Sequence, residues 1–245
     1  MYKRDKYKIR SNKKIAQNVY EMILEGDTTY IIRPGQFINI ELDGFYLRRP
    51  ISVCDYDSET ITIIYKVVGR GTRKMSTLQE GHVLDVLTGL GNGFEVKRSG
   101  DKPLLIGGGV GTPPMYNLCK KLVEQGKNPI VILGFGSVDD VFYEEKFKEM
   151  GAEVYISTVD GSYGTKGFVT DILKDLKDYT YYYTCGPKNM LKAVYDTATS
   201  DGELSFEEKM GCGFGACMGC TCKTQKGNKR ICKDGPVLKK EEIIW

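Results

Sequence analysis

Histidine is almost absent from this sequence: His82 is the only one among 245 residues. It stands in a turn-like EGHV beside a strand, and no Ser–His or Cys–His nucleophilic arrangement can be assembled around it. Hydrolytic chemistry of that kind is set aside, and His82 is expected at the surface or in packing. Also missing is any apolar run near the roughly 20 residues that span a bilayer, so no membrane partner is expected. The start, MYKRDKYKIR, is basic but is followed by no apolar core or small-residue cleavage site. No signal peptide is indicated, and the chain is expected in the cytoplasm. Strong charge of one sign is lacking too. A net charge of +3, with acids evenly interleaved, does not recommend nucleic acid as a partner. The one local excess (Lys223, Lys226, Lys229, Arg230 and Lys233) reads as a solvated loop face.

Cysteine, by contrast, is present eight times and is unevenly spread. Cys54, Cys119 and Cys185 lie in ordinary segments, whereas Cys212, Cys217, Cys220, Cys222 and Cys232 crowd near the end. Disulfides are not expected in a reducing compartment, so the crowding points to metal ligation. Cys212, Cys217, Cys220 and Cys232 follow C-x4-C-x2-C-x11-C, and the first three have the plant-type [2Fe–2S] spacing. Soft thiolates suit iron bridged by sulfide, and Gly211, Gly213, Gly215 and Gly219 suit a chain wrapped round a cluster. Structural zinc, the rival, usually takes paired C-x2-4-C knuckles, and only one such pair exists here. Redox-sensing thiols without metal are a further alternative. Cys222 is the spare, expected to be a small buried side chain.

Pattern divides the chain into three zones. Up to about residue 100, runs rich in Val, Ile, Tyr and Thr (IAQNVYEMIL, QFINIEL, RPISVCD, TITIIYKVV, HVLDVL) recur between turn residues, as in a small antiparallel barrel. From 101 to 205, short apolar runs (PLLIGGG, PIVILGFG, AEVYIST, TYYYTCG) alternate with helix-like stretches, as in a parallel sheet covered on both faces. The zone 206–245 is short, Cys- and Gly-rich, and able to rely on metal bonds instead of a large core. The expected fold class is thus a β barrel plus an α/β parallel-sheet domain, with a small C-terminal [2Fe–2S] domain.

Two stretches suit nucleotide cofactors. GGGVGTPP (Gly107 to Pro114) follows an apolar run and opens a helical pattern, so its backbone N–H groups could cradle a pyrophosphate. It departs from the dinucleotide fingerprint at Pro114, and the strand PIVIL ends in GFGS rather than in an acidic residue. In the barrel zone, Arg49 and Ser52 of RRPISV are expected to face one anionic phosphate, and Gly71 and Thr72 to precede a helix. A surface charge and a plain turn are the alternatives for these.

The order of these features is more telling than any one of them. R-P-I-S, G-R-G-T, GGGVGTPP and the CGP turn succeed one another as in the ferredoxin–NADP reductase superfamily, which the chain resembles. The terminal GCGFGACMGCTC, preceded by FEEKM, is similar to that of the electron-transfer subunits of NAD-dependent, B-type dihydroorotate dehydrogenases. The resemblance implies FAD, a [2Fe–2S] cluster and NAD as co-substrate. It places Arg49, Pro50, Ile51, Ser52, Ile64, Tyr65, Lys66, Gly71 and Thr72 at the FAD. It puts Gly107, Gly108, Gly109, Gly111, Thr112, Pro114, Cys185, Gly186 and Pro187 on the nicotinamide side. Cys212, Cys217, Cys220 and Cys232 become the cluster ligands. DGSYGTKGFVTD (Asp160 to Asp171) also looks like a family segment, without an assigned contact. The implied partner is an FMN-containing catalytic subunit, two copies of each forming a heterotetramer that serves pyrimidine biosynthesis. Val138, Asp139 and Asp140 after GFGS, with no nearby Arg, would repel a 2′-phosphate and favour NAD. Subunits of a hydrogenase, a sulfur reductase or a ferredoxin-dependent transhydrogenase share the module order. A redox sensor or zinc-stabilised interaction protein is the alternative from another class.

Overall fold

The computed structural model describes residues 2–245. Six strands close an antiparallel barrel in the order β1-β2-β5-β4-β3-β6: β1 (Lys3–Ala16), β2 (Val19–Glu25), β3 (Phe37–Ile40), β4 (Arg49–Tyr56), β5 (Thr60–Lys66) and β6 (Val83–Leu90). The run IAQNVYEMIL is not one strand: Asn18 has φ +57°, and the chain reverses there from β1 into β2. Period-two alternation sorts the side chains of β5. Ile61, Ile63 and Tyr65 fill the barrel, while Ile64 faces the other way into a core shared with Met115 and Leu118. Helix α1 (Arg70–Ser76) lies between β5 and β6. It begins at Arg70 with Gly69 before it, so Gly71 and Thr72 are inside its first turn rather than ahead of it.

The second body is a seven-stranded sheet in the order β10-β9-β8-β7-β11-β12-β15. Its strands are β7 (Pro103–Gly108), β8 (Ile130–Phe135), β9 (Glu153–Thr158), β10 (Thr165–Lys166), β11 (Tyr181–Cys185), β12 (Gly202–Ser205) and β15 (Val237–Lys239). All neighbours are parallel except β12 and β15. Every residue of β7 and β11 is buried, which explains why neither strand carries a charged side chain. Helices α2 (Thr112–Glu124), α3 (Glu144–Glu149), α4 (Val169–Leu173) and α5 (Lys188–Thr197) connect the strands. The C-terminal segment is less detached than its composition suggests. It forms the hairpin β13 (Thr221–Thr224) and β14 (Gly227–Arg230), then returns to the large sheet as β15. Trp245 packs against Tyr195 and Phe206, with ring centroids 5.6 and 5.7 Å away.

The connection from barrel to sheet is held on several sides. Asn92 exchanges side-chain hydrogen bonds with the backbone of Val237, its Nδ2 donating at 2.8 Å and its Oδ1 accepting at 3.1 Å. Phe94 N–H donates to the Pro34 carbonyl at 2.7 Å. Glu95 is gripped at both ends of its peptide: its N–H donates to Glu203 at 2.9 Å, and its carbonyl accepts from the Tyr183 hydroxyl at 3.0 Å. Glu203 is 2% exposed. Burial pushes its carboxyl up to about 7, outweighing the Glu95 hydrogen bond and the charges of Arg98 and Lys239, which favour ionisation. A carboxyl raised in the folded state contributes stability below its ordinary range and loses it as pH rises through about 7. Glu203→Gln keeps an acceptor for the Glu95 N–H but carries no charge to bury. It is expected to match the wild type at pH 4 and to exceed it at pH 8 by up to about 3 kcal/mol. Urea midpoints at the two pH values check this, and a constant difference would refute it.

Candidate functional site

A cavity of about 680 Å³ lies where barrel and sheet meet, a size suited to a small organic ligand. Its floor is glycine: Gly108, Gly109, Gly111, Gly134, Gly136, Gly167 and Gly186 all line it. The reason is spatial. A Cβ on Gly111 would overlap the Cys185 carbonyl oxygen and lie 2.8 Å from Gly186 N. The GGGVG and CGP turns are therefore interlocked backbone to backbone at the C-terminal ends of β7 and β11, where open parallel sheets bind ligands. Thr112 opens α2, and the Pro ring that follows needs no amide hydrogen there. Ser157 Oγ, on the cavity wall, is buried without a hydrogen-bond partner, which leaves it free for a polar ligand, whereas the equally unpartnered Thr112 Oγ1 lies outside the lining. Cys185 is 2% exposed and outside the cavity lining, and burial pushes its thiol up to about 12, so it stays neutral.

Among the described residues of the barrel, only Val19 and Lys66 reach this cavity. Lys66 Nζ is 3.0 Å from Asp140 Oδ1 across the junction. This changes the expected role of the acidic pair after GFGS. Asp140 is neutralised by Lys66, which leaves Asp139, exposed on the same turn, as the unpaired acid. Ile64 and Tyr65 also differ from expectation. Both are 2% exposed, and the Tyr65 hydroxyl donates to Asn12 at 2.9 Å, so neither side chain is free to lie against a ligand. The expectation that Arg49 and Ser52 share a face fails on parity. They are three residues apart on a strand whose register with β3 is unbroken, so they project to opposite sides. Arg49 instead meets the other predicted motif. It rests against Gly71 so closely that a Cβ there would overlap Arg49 Nε, and its guanidinium lies 4.7 Å over the Phe45 ring. Strand RPIS and helix start GRGT thus converge, leaving a cation beside an α1 whose first turn holds no acid, a donor set that fits a pyrophosphate.

The sequence reading missed several lining residues. Phe168 and Val169 come from the family-like segment left without a contact, and Ser157 is the last residue but one of β9. Their signal was position, the carboxyl end of a parallel strand. Glu207 lies two residues past β12, with its side chain open to the cavity. Desolvation raises its carboxyl above the ordinary value.

The four cysteines occupy a loop beside the barrel. Among the described residues, no three His, Cys, Asp or Glu side chains are arranged to hold one metal ion. The thiols meet in twos instead. Cys212 N–H donates to Cys217 Sγ at 3.4 Å, while Ala216 and Cys217 N–H donate to Cys212 Sγ at 3.2 and 3.5 Å. Cys232 N–H donates to Cys220 Sγ at 3.3 Å. Two thiolates per metal is what a two-iron centre takes, whereas one zinc ion takes four donors at one point. The pairs differ in setting: Cys220 and Cys232 are each 2% exposed, and Cys217 is at the surface. Burial opposes ionisation of Cys212, but the N–H groups of Cys217, Phe214 and Ala216 bring it well below its ordinary value. Burial, then neighbouring Cys220, pushes Cys232 up to about 12. Bound metal would offset that burial, since a coordinating thiol is deprotonated outright. Gly213 has φ +81° and lies on Asn39 of β3, whose Nδ2 donates to the Cys212 carbonyl at 3.3 Å. Cys222 is half-buried and outside both pairs.

Comparison with known proteins agrees with this geometry. Residues 207–244 match the iron-sulfur cluster binding domain of dihydroorotate dehydrogenase B, and residues 105–196 match the oxidoreductase NAD-binding domain. The chain is 44% identical, over 96% of both chains, to the dihydroorotate dehydrogenase B (NAD(+)) electron transfer subunit of Fusobacterium nucleatum. Among solved structures, a chain of the NADH-dependent reduced ferredoxin–NADP oxidoreductase superposes with a TM-score of 0.89. It is 31% identical, covering 98% of this chain and 90% of that one. A ferredoxin NADP+ reductase from Neisseria gonorrhoeae shares the fold at 17% identity and a TM-score of 0.69, covering 79% of this chain and 89% of that one.

Proposed function

Because the chain belongs to the family of electron transfer subunits of dihydroorotate dehydrogenase B (NAD(+)), we propose that it links an FMN-containing catalytic subunit to NAD⁺ through a [2Fe–2S] cluster and FAD, in pyrimidine biosynthesis. The supporting observation is the placement of two thiol pairs on a loop against the barrel, within a chain whose barrel and sheet enclose a glycine-floored cavity. Hydride carries two electrons and a two-iron centre one, and flavin supplies the conversion between them. The residues of this chain bind and orient. Arg49 and the α1 start hold the FAD pyrophosphate on the barrel (1–100), the glycine turns hold the nicotinamide end of NAD on the sheet domain (101–205), and Cys212, Cys217, Cys220 and Cys232 hold the cluster (206–245). No side chain here is asked to move a proton, in keeping with the lone, exposed His82.

A cytoplasmic setting fits the eight free cysteines, since glutathione keeps thiols reduced there. No helix among the described residues is long and apolar enough to cross a membrane. A heterotetramer with two copies of each subunit is the expected assembly. A ferredoxin-dependent transhydrogenase is the competing reading, given the structural neighbour at 31% identity. The 44% identity to the dihydroorotate group favours the first. Purifying the chain with its native partner decides between them. Dihydroorotate-dependent reduction of NAD⁺ is expected, and a complex that reduces pyridine nucleotide only from ferredoxin would overturn the proposal.

A further inference from the structure

Arg230 ends β14, inside the basic stretch that the sequence alone presents as a solvated face. In the folded chain each of its three guanidinium nitrogens donates a hydrogen bond. Nε and Nη2 donate to the two oxygens of Asp234 at 2.9 and 3.2 Å, and Nη1 donates to the Gly215 carbonyl at 2.9 Å. Asp234 also accepts the Arg230 backbone N–H at 3.0 Å, and Lys233, Asp234 and Gly235 all donate N–H groups to the Arg230 carbonyl. Gly215 lies between Cys212 and Cys217, and Asp234 is two residues past Cys232. One side chain therefore fastens the outer thiol pair to the turn that carries the inner one. Its positive charge is held first by Asp234 and is also felt by Cys232 and Cys220.

We propose that Arg230, with Asp234 as its counter-ion, sets the reduction potential of the centre held by the four cysteines. This rests on those cysteines holding a two-iron cluster. On reduction one electron enters and no atom is exchanged, so the held group gains one unit of negative charge that fixed neighbours must accommodate. The guanidinium favours the reduced form, and the Asp234 carboxylate partly cancels it. The two side chains thus act with opposite sign, which a mere loop fastener would not do.

The test is a redox titration of the full holoprotein, followed by electron paramagnetic resonance, with iron and sulfide content measured on each variant. Arg230→Gln is expected to lower the reduced-to-oxidised ratio at fixed potential about tenfold, which is about 59 mV for a one-electron couple. Asp234→Asn is expected to raise the ratio, and Arg230→Lys to leave it near the wild type. Ratios unchanged in both charge variants, or moved in the same direction, would overturn the proposal. Should Arg230→Gln lose its cluster, Asp234→Asn and Arg230→Lys decide: a rise in the first without a comparable change in the second supports it, and any other pattern refutes it. Wild-type protein without iron and sulfide would instead defeat the cluster assignment itself.

Discussion

Cys220→Ser is expected to uncouple the two halves of the reaction. Dihydroorotate-linked reduction of NAD⁺ by the assembled complex should fall by roughly a hundredfold or more. NADH oxidation by a dye that accepts electrons directly from flavin should stay within about twofold. The physical basis is the pairing of thiols. Cys220 is buried, accepts the Cys232 N–H at 3.3 Å and shares its corner of the loop with that residue. A serine there offers a harder, far less acidic donor, so one metal would keep a single thiolate and the centre would be lost. Barrel and sheet do not depend on that bond. The barrel has its own core and no residue of 212–232 lines the cavity. Cys220 and Cys232 do pack with Ile106 and Leu204 under the sheet, and serine at 220 keeps nearly the same volume there. Cys217→Ser repeats the test at an exposed position where packing is not at stake, and Cys222→Ser, outside both pairs, should leave both activities in place. Full cluster content in Cys220→Ser, or equal loss of both activities, would contradict the assignment.

The parts of this design most legible in the sequence are those set by local spacing. The C-x4-C-x2-C run points to the proposed ligands because the loop is short enough for spacing to dictate reach. The buried strands declared themselves because β7, β8 and β11 have both faces covered, leaving no charged residue to interrupt the run. Harder to foresee was whatever depends on distant segments meeting. Lys66 and Asp140 are 74 positions apart and neutralise each other across the junction, so the acidity of the turn after GFGS overstated its free charge. Glu203 sits in a short strand with no amphipathic pattern, and only the fold shows that it grips the Glu95 peptide. Alternation was a reliable guide when applied strictly. Ile64 and Tyr65 are adjacent, so β5 had to send them to opposite faces, and both turned out to be occupied by cores. The return of residues 237–239 to the sheet as an antiparallel edge had no local signal, since three residues are too few to show a period.

Gly111→Ala should be the most damaging single-methyl change on the nucleotide side, and its neighbours show why. Three glycines of one loop are glycine for three different reasons. At Gly109 φ is +52° but nothing lies within 4 Å, so alanine there meets only backbone strain of about 1 kcal/mol. At Gly108 a Cβ would press on the Met190 sulfur, the end of a flexible side chain that can turn aside. Gly111 has an ordinary φ of −80°, yet its Cβ would overlap the Cys185 carbonyl, with Gly186 N 2.8 Å away. Those atoms are backbone at the end of a fully buried strand and cannot rotate away. Relief requires the GGGVG turn to part from the CGP turn, and both line the cavity floor. Overpacking of this kind costs about 1–3 kcal/mol, so NADH affinity should weaken by about tenfold or more in Gly111→Ala. In Gly108→Ala and Gly109→Ala it should change only about fivefold or less. NADH titrations of the three variants, with flavin and iron content measured alongside, test that ranking. If Gly111→Ala fails to fold while the other two bind NADH nearly normally, the interlock is confirmed by a harsher route. Equal affinities across all three would mean that the two turns are not locked together.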